Sequence, residues 1–250
     1  MKFAIISDIH ANLEALTKAL QMIDSFAVDE IVCLGDIVDY GANPNECIEL
    51  IRKQCTLVLL GNHDEAVENI QKAHSNFTEL ALKSTLWTNQ KITDHNNIFL
   101  AHLPLSCEQF GSKFVHSSPK DPAGWHYILS EYDAYENFRY FSPHHCFFGH
   151  SHYAEIFSNS DETLEPIRIE NQSEFSISEF RLNPLYKYLI NVGSVGQPRD
   201  HDWRLSFGVF DTEQLLYRNY RAEYDVYSAA QKIRREKLPE HNARRLFVGK

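Results

Sequence analysis

The segment that most constrains this chain is residues 35–41, in which Asp36 and Asp39 stand between two glycines. The apolar run at 30–34 before it predicts a buried strand, and the glycines favour a tight turn. Because the two carboxylates are three residues apart on that turn, they can point into one cleft. A carboxylate has two oxygens, so one aspartate can bridge two cations while the other orients a neighbouring histidine.

Similar strand-and-turn units lie on both sides of this segment. Apolar runs at 3–6 and 56–60 predict strands, and apolar residues at helical spacing in 11–24 predict a helix between the first two strands. Alternating strands and helices favour a parallel α/β sheet, in which ligands bind beyond the carboxyl ends of the strands. The turns there carry side chains of the ligand type: Asp8, His10, Asp36, Asp39, Asn62 and His63.

Further strands are predicted along the rest of the chain from short apolar runs. They cover 97–101, 113–116, 146–148 and 189–192, and 205–210 forms a hairpin with 215–220. Helices are predicted over 76–91 and 226–247, the second interrupted at Pro239. Asn43, followed by a proline, is typical of a helix start. Residues 158–184 are rich in Ser, Asn and Glu, which indicates an irregular excursion or a long hairpin.

The overall composition excludes several classes of function. The formal net charge of −10 argues against sequence-independent binding of nucleic acid, because such binding needs a basic surface. No apolar stretch approaches the roughly 20 residues of a membrane span, and no signal-peptide pattern is present. The five cysteines show no C-x-x-C spacing and are interpreted as reduced core thiols. We therefore expect a cytoplasmic protein.

The length of 250 residues is enough for one large domain, and we predict a single domain over 1–250. Residues 221–250 differ in composition, since they hold eight Lys or Arg against four Asp or Glu. We interpret this segment as a helical C-terminal cap packed on an acidic body. A regulatory or partner-binding tail is the alternative.

Two pairs of residues have the spacing of metal chelates. In a strand, residues i and i+2 face the same way, so Asp8 with His10, and His150 with His152, could each hold one cation. Oxygen and imidazole ligands without thiolates favour Mn, Fe, Zn, Co or Mg. For a further imidazole ligand His116 is preferred over His102, because His116 ends a predicted strand and a turn follows it.

Five elements occur along the chain in this order: Asp8-x-His10, Gly35-Asp36-x-x-Asp39, Gly61-Asn62-His63-Asp64, His116, and Gly149-His150-x-His152. Together they resemble the calcineurin-like metallophosphoesterase superfamily. Within it, the nearest resemblance is to the small bacterial phosphodiesterase branch often called diadenosine-tetraphosphatase-like. Residues 191–199 resemble the Gly-Ser turn of that branch. The resemblance implies an α/β fold of two packed mixed β-sheets flanked by helices, a four-layer sandwich.

The resemblance also implies two divalent or trivalent metal ions per chain. The first would be held by Asp8, His10, Asp36 and His152. The second would be held by Asp36, Asn62, His116 and His150, with Asp36 bridging the two ions. Manganese is the first expectation, and Fe, Zn, Co, Ni or Mg are alternatives. His63 would face the substrate, oriented by Asp39, and Arg199 is a further candidate for a phosphate contact.

A centre of this kind has the groups that phosphoester hydrolysis needs. Two cations roughly 3.5–4 Å apart clamp a phosphate and lower the pKa of a bound water, so that hydroxide attacks phosphorus in line. His63 beside Asp39 can protonate the leaving oxygen, because imidazole titrates near neutrality. We predict a binuclear-metal phosphoesterase that hydrolyses a small phosphodiester or phosphoanhydride, such as a nucleotide or a dinucleoside polyphosphate.

Three alternatives remain. A nuclease of the same superfamily would need a basic track. A protein phosphatase is disfavoured because Tyr40 stands where those enzymes carry an Arg. A non-catalytic binding module is disfavoured because every expected ligand is intact.

We expect a small phosphorylated substrate, no extended nucleic acid and no membrane as partners, and the oligomeric state is open. The tryptophans Trp87, Trp125 and Trp203 are interpreted as packing residues, with a nucleotide pocket as an alternative for Trp203.

Overall fold

The computed structural model describes residues 1–160, 164–168 and 177–250. Twelve strands in these ranges form two mixed sheets of six strands each. In spatial order, the first sheet contains β3 (Leu57–Val58), β2 (Glu30–Cys33), β1 (Lys2–Ile6), β11 (Leu205–Asp211), β12 (Leu216–Ala222) and β9 (Ile177–Arg181). The second contains β4 (Ser106–Gln109), β5 (Ser112–Val115), β6 (His145–Phe148), β10 (Lys187–Val192), β7 (Ala154–Asn159) and β8 (Leu164–Arg168).

Helices connect and cover the sheets. In chain order they are α1 (Leu13–Asp24), α2 (Pro44–Gln54), α3 (Asn62–Glu68), α4 (Ile70–Asn76), α5 (Glu79–Lys91), α6 (Asp94–Ala101), α7 (Glu131–Asn137), α8 (Val226–Arg235) and α9 (Glu240–Arg245), with 3₁₀ turns at Pro122–Gly124 and Phe138–Tyr140. Within the described ranges, no helix combines the length and apolar character needed to cross a membrane.

Parallel strands place the predicted site turns at one edge of each sheet. In the first sheet β1, β2 and β3 run parallel, and in the second β5, β6 and β10 do. The remaining described strand pairs are antiparallel. The turns that carry the candidate residues follow these six parallel strands, so the carboxyl ends of both sheets contribute to the site.

Three apolar layers hold the sheets and helices together. Aromatic side chains fill the space between the sheets, where the Phe3 ring of β1 lies 5.7 Å from Phe114 and 5.8 Å from Phe147 of the second sheet. Helices α1, α2 and α8 pack on the outer face of the first sheet. The 3₁₀ turn residue Phe138 and its neighbour Phe141 pack on the outer face of the second. This arrangement confirms the fold class of two packed mixed sheets flanked by helices.

The prediction of a strand at 97–101 was wrong, because this segment belongs to helix α6. Thr93 caps the helix with its side-chain oxygen, which accepts from the backbone N–H of Asn96 at 3.3 Å. Asn45 of α2 then fixes the cap, since its Oδ1 accepts from the backbone N–H of Thr93 and from the side chain of Asn96, each at 3.0 Å. These bonds satisfy groups that an isolated helix end leaves unpaired, and they outweigh the strand preference of the apolar run.

The other predicted elements are present with altered limits. The helix predicted over 76–91 begins at Glu79, because Phe77 is extended and Thr78 caps α5, and Asn76 ends the preceding helix α4. Asn43 occupies the N-cap position of α2, but its side chain makes no capping hydrogen bond. In the 158–184 excursion, β7 and β8 form an antiparallel hairpin and β9 joins the other sheet, while 161–163 and 169–176 lie outside the described residues.

The C-terminal helices α8 and α9 pack against the first sheet and its helices. Ala230 and Ile233 of α8 and Leu246 just after α9 share one apolar core with β1, α1 and α2. Pro239 separates the two helices and occupies the N-cap position of α9, as the sequence indicated. The assignment of 1–250 to one domain stays a prediction, which this shared core supports.

The inter-sheet core yields a stability prediction. Replacement of the buried Phe3 by alanine removes a ring that contacts both sheets, so we expect a loss of about 3–5 kcal/mol in the free energy of unfolding. Urea unfolding followed by circular dichroism measures this loss. Tyr132→Ala, at a side chain 73% exposed, is the control and should change stability by less than about 0.5 kcal/mol. A Phe3→Ala variant as stable as this control would contradict the assignment of Phe3 to the core between the two sheets.

Candidate metal centre

The structure brings the predicted ligands into two overlapping groups beyond the strand ends. The first group contains Asp8, His10, Asp36 and His152, and the second contains Asp36, His116 and His150. All of these residues are buried, and in each group the candidate ligand atoms lie within 4.8 Å of one another. Asp36 belongs to both groups, as expected for a bridging carboxylate. His102 is exposed at the end of α6 and belongs to neither group.

The backbone at these positions is left-handed, although none of the residues is glycine. The φ angles are 54° at Asp8, 48° at His10, 52° at Asp36, 66° at His150 and 63° at His152. Such conformations cost about 1–3 kcal/mol each and concentrate at functional sites. The candidate ligands therefore lie on strained turns beyond β1 and β6 and not within strands, so the geometry predicted from strand alternation was wrong. Asp8 and His10 still meet in one group, whereas His150 and His152 belong to different groups and do not hold one cation together.

Glycines allow the turns to approach one another closely. A Cβ at Gly61 would lie 2.1 Å from Oδ1 of Asp36, and one at Gly149 would lie 2.6 Å from Oδ2 of Asp8. The backbone of the strand–turn units can therefore touch the two carboxylates directly. His63 uses this proximity, because its backbone N–H donates to Oδ1 of Asp36 at 2.8 Å.

Asp64 joins the turn after β2 to the start of α3. Its Oδ1 accepts from the backbone N–H groups of Ile37 at 2.9 Å and Val38 at 3.2 Å, and its Oδ2 accepts from that of Gly61 at 3.1 Å. These bonds hold the loop that carries Asp36 against the loop that carries Asn62. The sequence motif contained Asp64, but only the structure shows this positioning function.

Backbone carbonyls fix the orientation of the histidine rings. Three rings donate Nδ1–H to a carbonyl oxygen: His10 to Val38 at 3.1 Å, His116 to Leu34 at 3.0 Å and His152 to Gln197 at 2.6 Å. Because a carbonyl can only accept, Nδ1 carries the hydrogen, so in the neutral ring Nε2 is the nitrogen whose lone pair can bind a cation. His150 is reversed, since its Nε2 donates to the carbonyl of Trp125 at 2.9 Å and leaves Nδ1 free.

Several buried polar atoms of the site lack a hydrogen bond. They are Oδ1 of Asp8, Oδ2 of Asp36, Oδ1 of Asn62 and Nε2 of His116. Two of them lie close together, with 3.3 Å between Nε2 of His116 and Oδ2 of Asp36. An unpaired buried polar atom is costly, so four at one site indicate a missing partner. Carboxylate, amide and imidazole donors without thiolate fit a divalent metal ion.

Charge interactions in the centre favour a cation. Burial raises the pKa of Asp8 to about 6, with the His116 charge acting in the opposite direction. Burial also tends to raise the pKa of Asp36, but the charges of His116 and His63 hold it well below its usual range. Although burial lowers the pKa of His116, the charge of Asp36 raises it to about 9. The carboxylates therefore favour a positive charge beside them, and either a proton or a bound metal ion can supply it.

His63 lies beside the two groups and is held by Asp39. Its Nδ1 donates to Oδ2 of Asp39 at 2.7 Å, and Thr85 of α5 donates its hydroxyl to the same oxygen at 2.6 Å. Oδ1 of Asp39 accepts from the backbone N–H of Tyr40 at 2.8 Å. Burial lowers the pKa of His63, but the charge of Asp36 and the bond to Asp39 raise it above its ordinary value. No sequence pattern pointed to Thr85.

The centre opens into a cleft of about 420 Å³ with aromatic walls. Its lining includes Asn62, His63, His150, Tyr40, Phe77, Trp125 and Tyr127. The Tyr127 ring stacks on His150 at 4.1 Å between centroids, and Phe77 lies 4.6 Å from His63. The packing interpretation was therefore incomplete for Trp125, which is half-buried in the cleft wall. Trp203 packs against Tyr224 and does not line this cleft.

Comparisons with known proteins agree with this geometry. Residues 1–154 match the family model of the calcineurin-like phosphoesterases. The uncharacterized protein MJ0912 of Methanocaldococcus jannaschii is 41% identical over 251 residues, which cover 99% of this chain and 98% of that protein. A metallophosphoesterase from Sphaerobacter thermophilus is 32% identical, with a TM-score of 0.86 and 100% of both chains covered.

A diadenosine tetraphosphatase-like protein shares the fold at 17% identity, with a TM-score of 0.50 over 89% of this chain and 94% of that one. The family match covers more than half of the chain, and the Sphaerobacter enzyme aligns along all of it. The two buried groups of Asp and His residues could hold a metal ion. The chain therefore belongs to the calcineurin-like metallophosphoesterases and is a metal-dependent phosphoester hydrolase.

Proposed function

We propose that this enzyme holds two metal ions and hydrolyses a small phosphodiester or phosphoanhydride. The observation that carries the proposal is the pair of ligand groups that share Asp36. One ion would be held by Asp8, His10, Asp36 and His152, and the other by Asp36, Asn62, His116 and His150. Manganese is our first choice of metal. Bound divalent ions would polarise phosphoryl oxygens and lower the pKa of water.

The protein's own groups position the substrate and move a proton. Asn62, at the start of α3, can donate its amide N–H to a phosphate oxygen. His63 can give its Nε2 proton to the leaving oxygen as the P–O bond breaks, because Asp39 holds Nδ1–H and fixes the ring. Thr85 in turn orients the Asp39 carboxylate. This arrangement supports hydrolysis of esters with poor leaving groups.

The cleft supports a nucleotide-like substrate. Its aromatic side chains offer faces on which a base or aryl group can stack beside the metal centre. The formal net charge of −10 disfavours a nuclease with an extended basic track. We place the protein in the cytoplasm, a proposal that its five free cysteines support.

The proposal is tested with a panel of substrates on metal-loaded protein. Nucleotides, dinucleoside polyphosphates and aryl phosphates are assayed with Mn, Mg, Zn, Co and Fe. We expect hydrolysis of at least one diester or anhydride with one of these metals, and no hydrolysis after chelation. Absence of turnover with every pair would favour a binding module.

Removal of the bridging carboxylate should affect both metal positions. Asp36→Asn loses a charge and an oxygen donor, so metal content after reconstitution should fall well below the two ions expected for the native chain. Elemental analysis measures this content. Asp39→Asn is the matched control, since it makes the same change three residues away at a side chain that is not a proposed ligand. A variant Asp36→Asn that retains both metals would overturn the bridging assignment.

Substrate preference separates this enzyme from a protein phosphatase. Tyr40 occupies the position of an Arg that would hold a dianionic monoester, and its ring lies against His10 and His63. A diester carries less charge at the reacting phosphorus and depends less on that cation. We expect kcat/KM to be higher for aryl phosphodiesters than for phosphotyrosine or phosphoserine peptides. Equal or faster cleavage of phosphopeptides would contradict this preference.

Replacement of His63 should separate proton transfer from metal binding. General acid catalysis typically contributes about 10²–10⁴-fold, so His63→Asn should reduce kcat for nucleoside or alkyl diesters by roughly that factor. Nitrophenyl diesters should lose much less, because their leaving groups need no proton. The comparison of the two kcat values uses one metal-loaded preparation of each variant.

Two further variants refine this comparison. Asp39→Asn and Thr85→Val should show the same pattern more weakly, because the imidazole remains but its orientation is less well held. If both substrate types fall equally while both metals stay bound, His63 binds phosphate and is not the acid. If metal is lost in His63→Asn, the ligand assignment around Asn62 is wrong.

A further inference from the structure

Two side chains of opposite charge meet in the cleft beside the metal centre. Nζ of Lys72, on α4, donates to Oε1 of Glu65, on α3, at 2.6 Å. Apart from its histidines, the described lining of the cleft contains no other charged side chain. The lysine side chain is 52% exposed and that of the glutamate 18% exposed. The charge that this cleft presents to a substrate therefore depends on the pair.

Glu65 is held on a second side by Trp125. The indole Nε1–H of Trp125 donates to Oε2 of Glu65 at 3.1 Å, so each carboxylate oxygen accepts a hydrogen bond. Trp125 is itself anchored, because its carbonyl accepts from Nε2 of His150 at 2.9 Å. Its φ of 52° is left-handed, a conformation that persists only where neighbouring contacts impose it. The Glu65 carboxylate is therefore fixed in the cleft wall by contacts on both sides.

The position of Glu65 along α3 places it next to the proposed site of the reacting phosphate. Asn62, a proposed ligand of the second ion, begins this helix, and Glu65 follows it by three residues. Residues three apart in a helix lie on one face. His63, the proposed general acid, lines the same cleft. A group attached to the phosphate at the metal centre would therefore extend into the cleft beside Glu65.

A second phosphate in this cleft would be repelled by Glu65. Lys72 could turn to such a phosphate, because half-exposed ion pairs are weak. It would then leave the Glu65 carboxylate without its cation, beside a group of like charge. While Glu65 stays fixed, the two side chains together offer no net positive charge to hold a further phosphate.

The remaining lining suits an uncharged planar group. The rings of Phe77, Trp125 and Tyr127 form part of the wall, and the side chains of Asn76 and Thr78 add neutral hydrogen-bonding groups. A nucleobase has a flat face on which aromatic rings can stack and polar edges for such neutral groups. The cleft therefore matches a nucleoside better than a chain of phosphates.

We propose that Glu65 is a specificity residue, which neutralises Lys72 so that the cleft accepts an uncharged nucleoside or aryl group and excludes a second phosphate. This inference rests on the proposed function and narrows its substrate class to phosphodiesters. A dinucleoside polyphosphate, in which further phosphates adjoin the reacting one, is then a poor substrate. The charge pair selects against the extra phosphate, and the aromatic wall selects for the planar group.

The test compares two ligands that differ by one phosphate. Calorimetry on metal-loaded protein gives the dissociation constants of AMP and of α,β-methylene-ADP, whose bridge resists hydrolysis. We expect the native protein to bind the second ligand no more tightly than AMP. Glu65→Gln keeps an oxygen for the Trp125 N–H but frees the Lys72 charge. It should therefore shift the ratio of the two dissociation constants about tenfold toward α,β-methylene-ADP.

Two further variants separate the Lys72 charge from a general change in electrostatic potential. Lys72→Met leaves Glu65 without its cation and should shift the ratio toward AMP. The double variant Glu65→Gln/Lys72→Met should lose the gain of Glu65→Gln, because no ammonium remains to hold the phosphate. Glu79→Gln is the matched control, since it removes the partner of Lys83 from an exposed pair at 2.8 Å outside the cleft. It should keep the native ratio.

Three results would overturn the inference. One is a native protein that binds α,β-methylene-ADP tenfold or more tightly than AMP. Another is a ratio that stays unchanged in both Glu65→Gln and Lys72→Met. The third is a double variant that keeps the gain of Glu65→Gln, because the carboxylate would then act without its pairing to Lys72. Lys72→Met changes a half-exposed side chain, so it remains a test even where Glu65→Gln fails to fold or loses metal.

The proposed function is checked separately on the same preparations. Hydrolysis of bis(p-nitrophenyl) phosphate by the native metal-loaded protein involves no second phosphate and measures the phosphodiesterase activity alone. Absence of this activity would contradict the proposed function whatever the binding data show. Normal activity together with tenfold tighter binding of α,β-methylene-ADP would overturn only the exclusion of a second phosphate.

Discussion

Two aspartates buried close together are the constraint on which the rest of the structure depends. Asp8 and Asp36 have 0% and 1% of their surface exposed, and each keeps one oxygen without a hydrogen bond. Buried like charges of this kind are unstable unless a cation joins them. The strained turns, the close glycines and the carbonyl-anchored histidines all serve to present donors to that cation. The same few atoms therefore affect both the stability of the fold and the function of the site.

The ligands come from both sheets, so the centre also depends on how the sheets pack. Asp8, Asp36 and Asn62 follow strands of the first sheet, whereas His116 and His150 follow strands of the second. The aromatic layer between the sheets sets the distance across which these groups must meet. A ligand that binds only the folded state stabilises it, so a bound metal would strengthen the contact between sheets.

Much of the site could be predicted from the sequence because each ligand follows a recognisable strand and lies in a short motif. The helix α6 could not, because its cap depends on Asn45 of another helix. Thr85 could not be predicted either, since it meets Asp39 through a contact between segments far apart in the chain. Local patterns specify turns and ligands, whereas tertiary packing decides which distant side chains support them.

The basic C-terminal segment illustrates this limit. Its composition alone indicated a solvated cap, and part of it behaves so, since Lys232 pairs with Glu14 and donates to Asn43. Helix α9 differs because the side chain of Asn242 donates to the carbonyl of Tyr40, in the turn after β2. This contact joins segments far apart in the chain, so a count of charges over the C-terminal segment cannot show it. Composition therefore indicates where a segment carries its charge, whereas packing decides which turn of the site that segment supports.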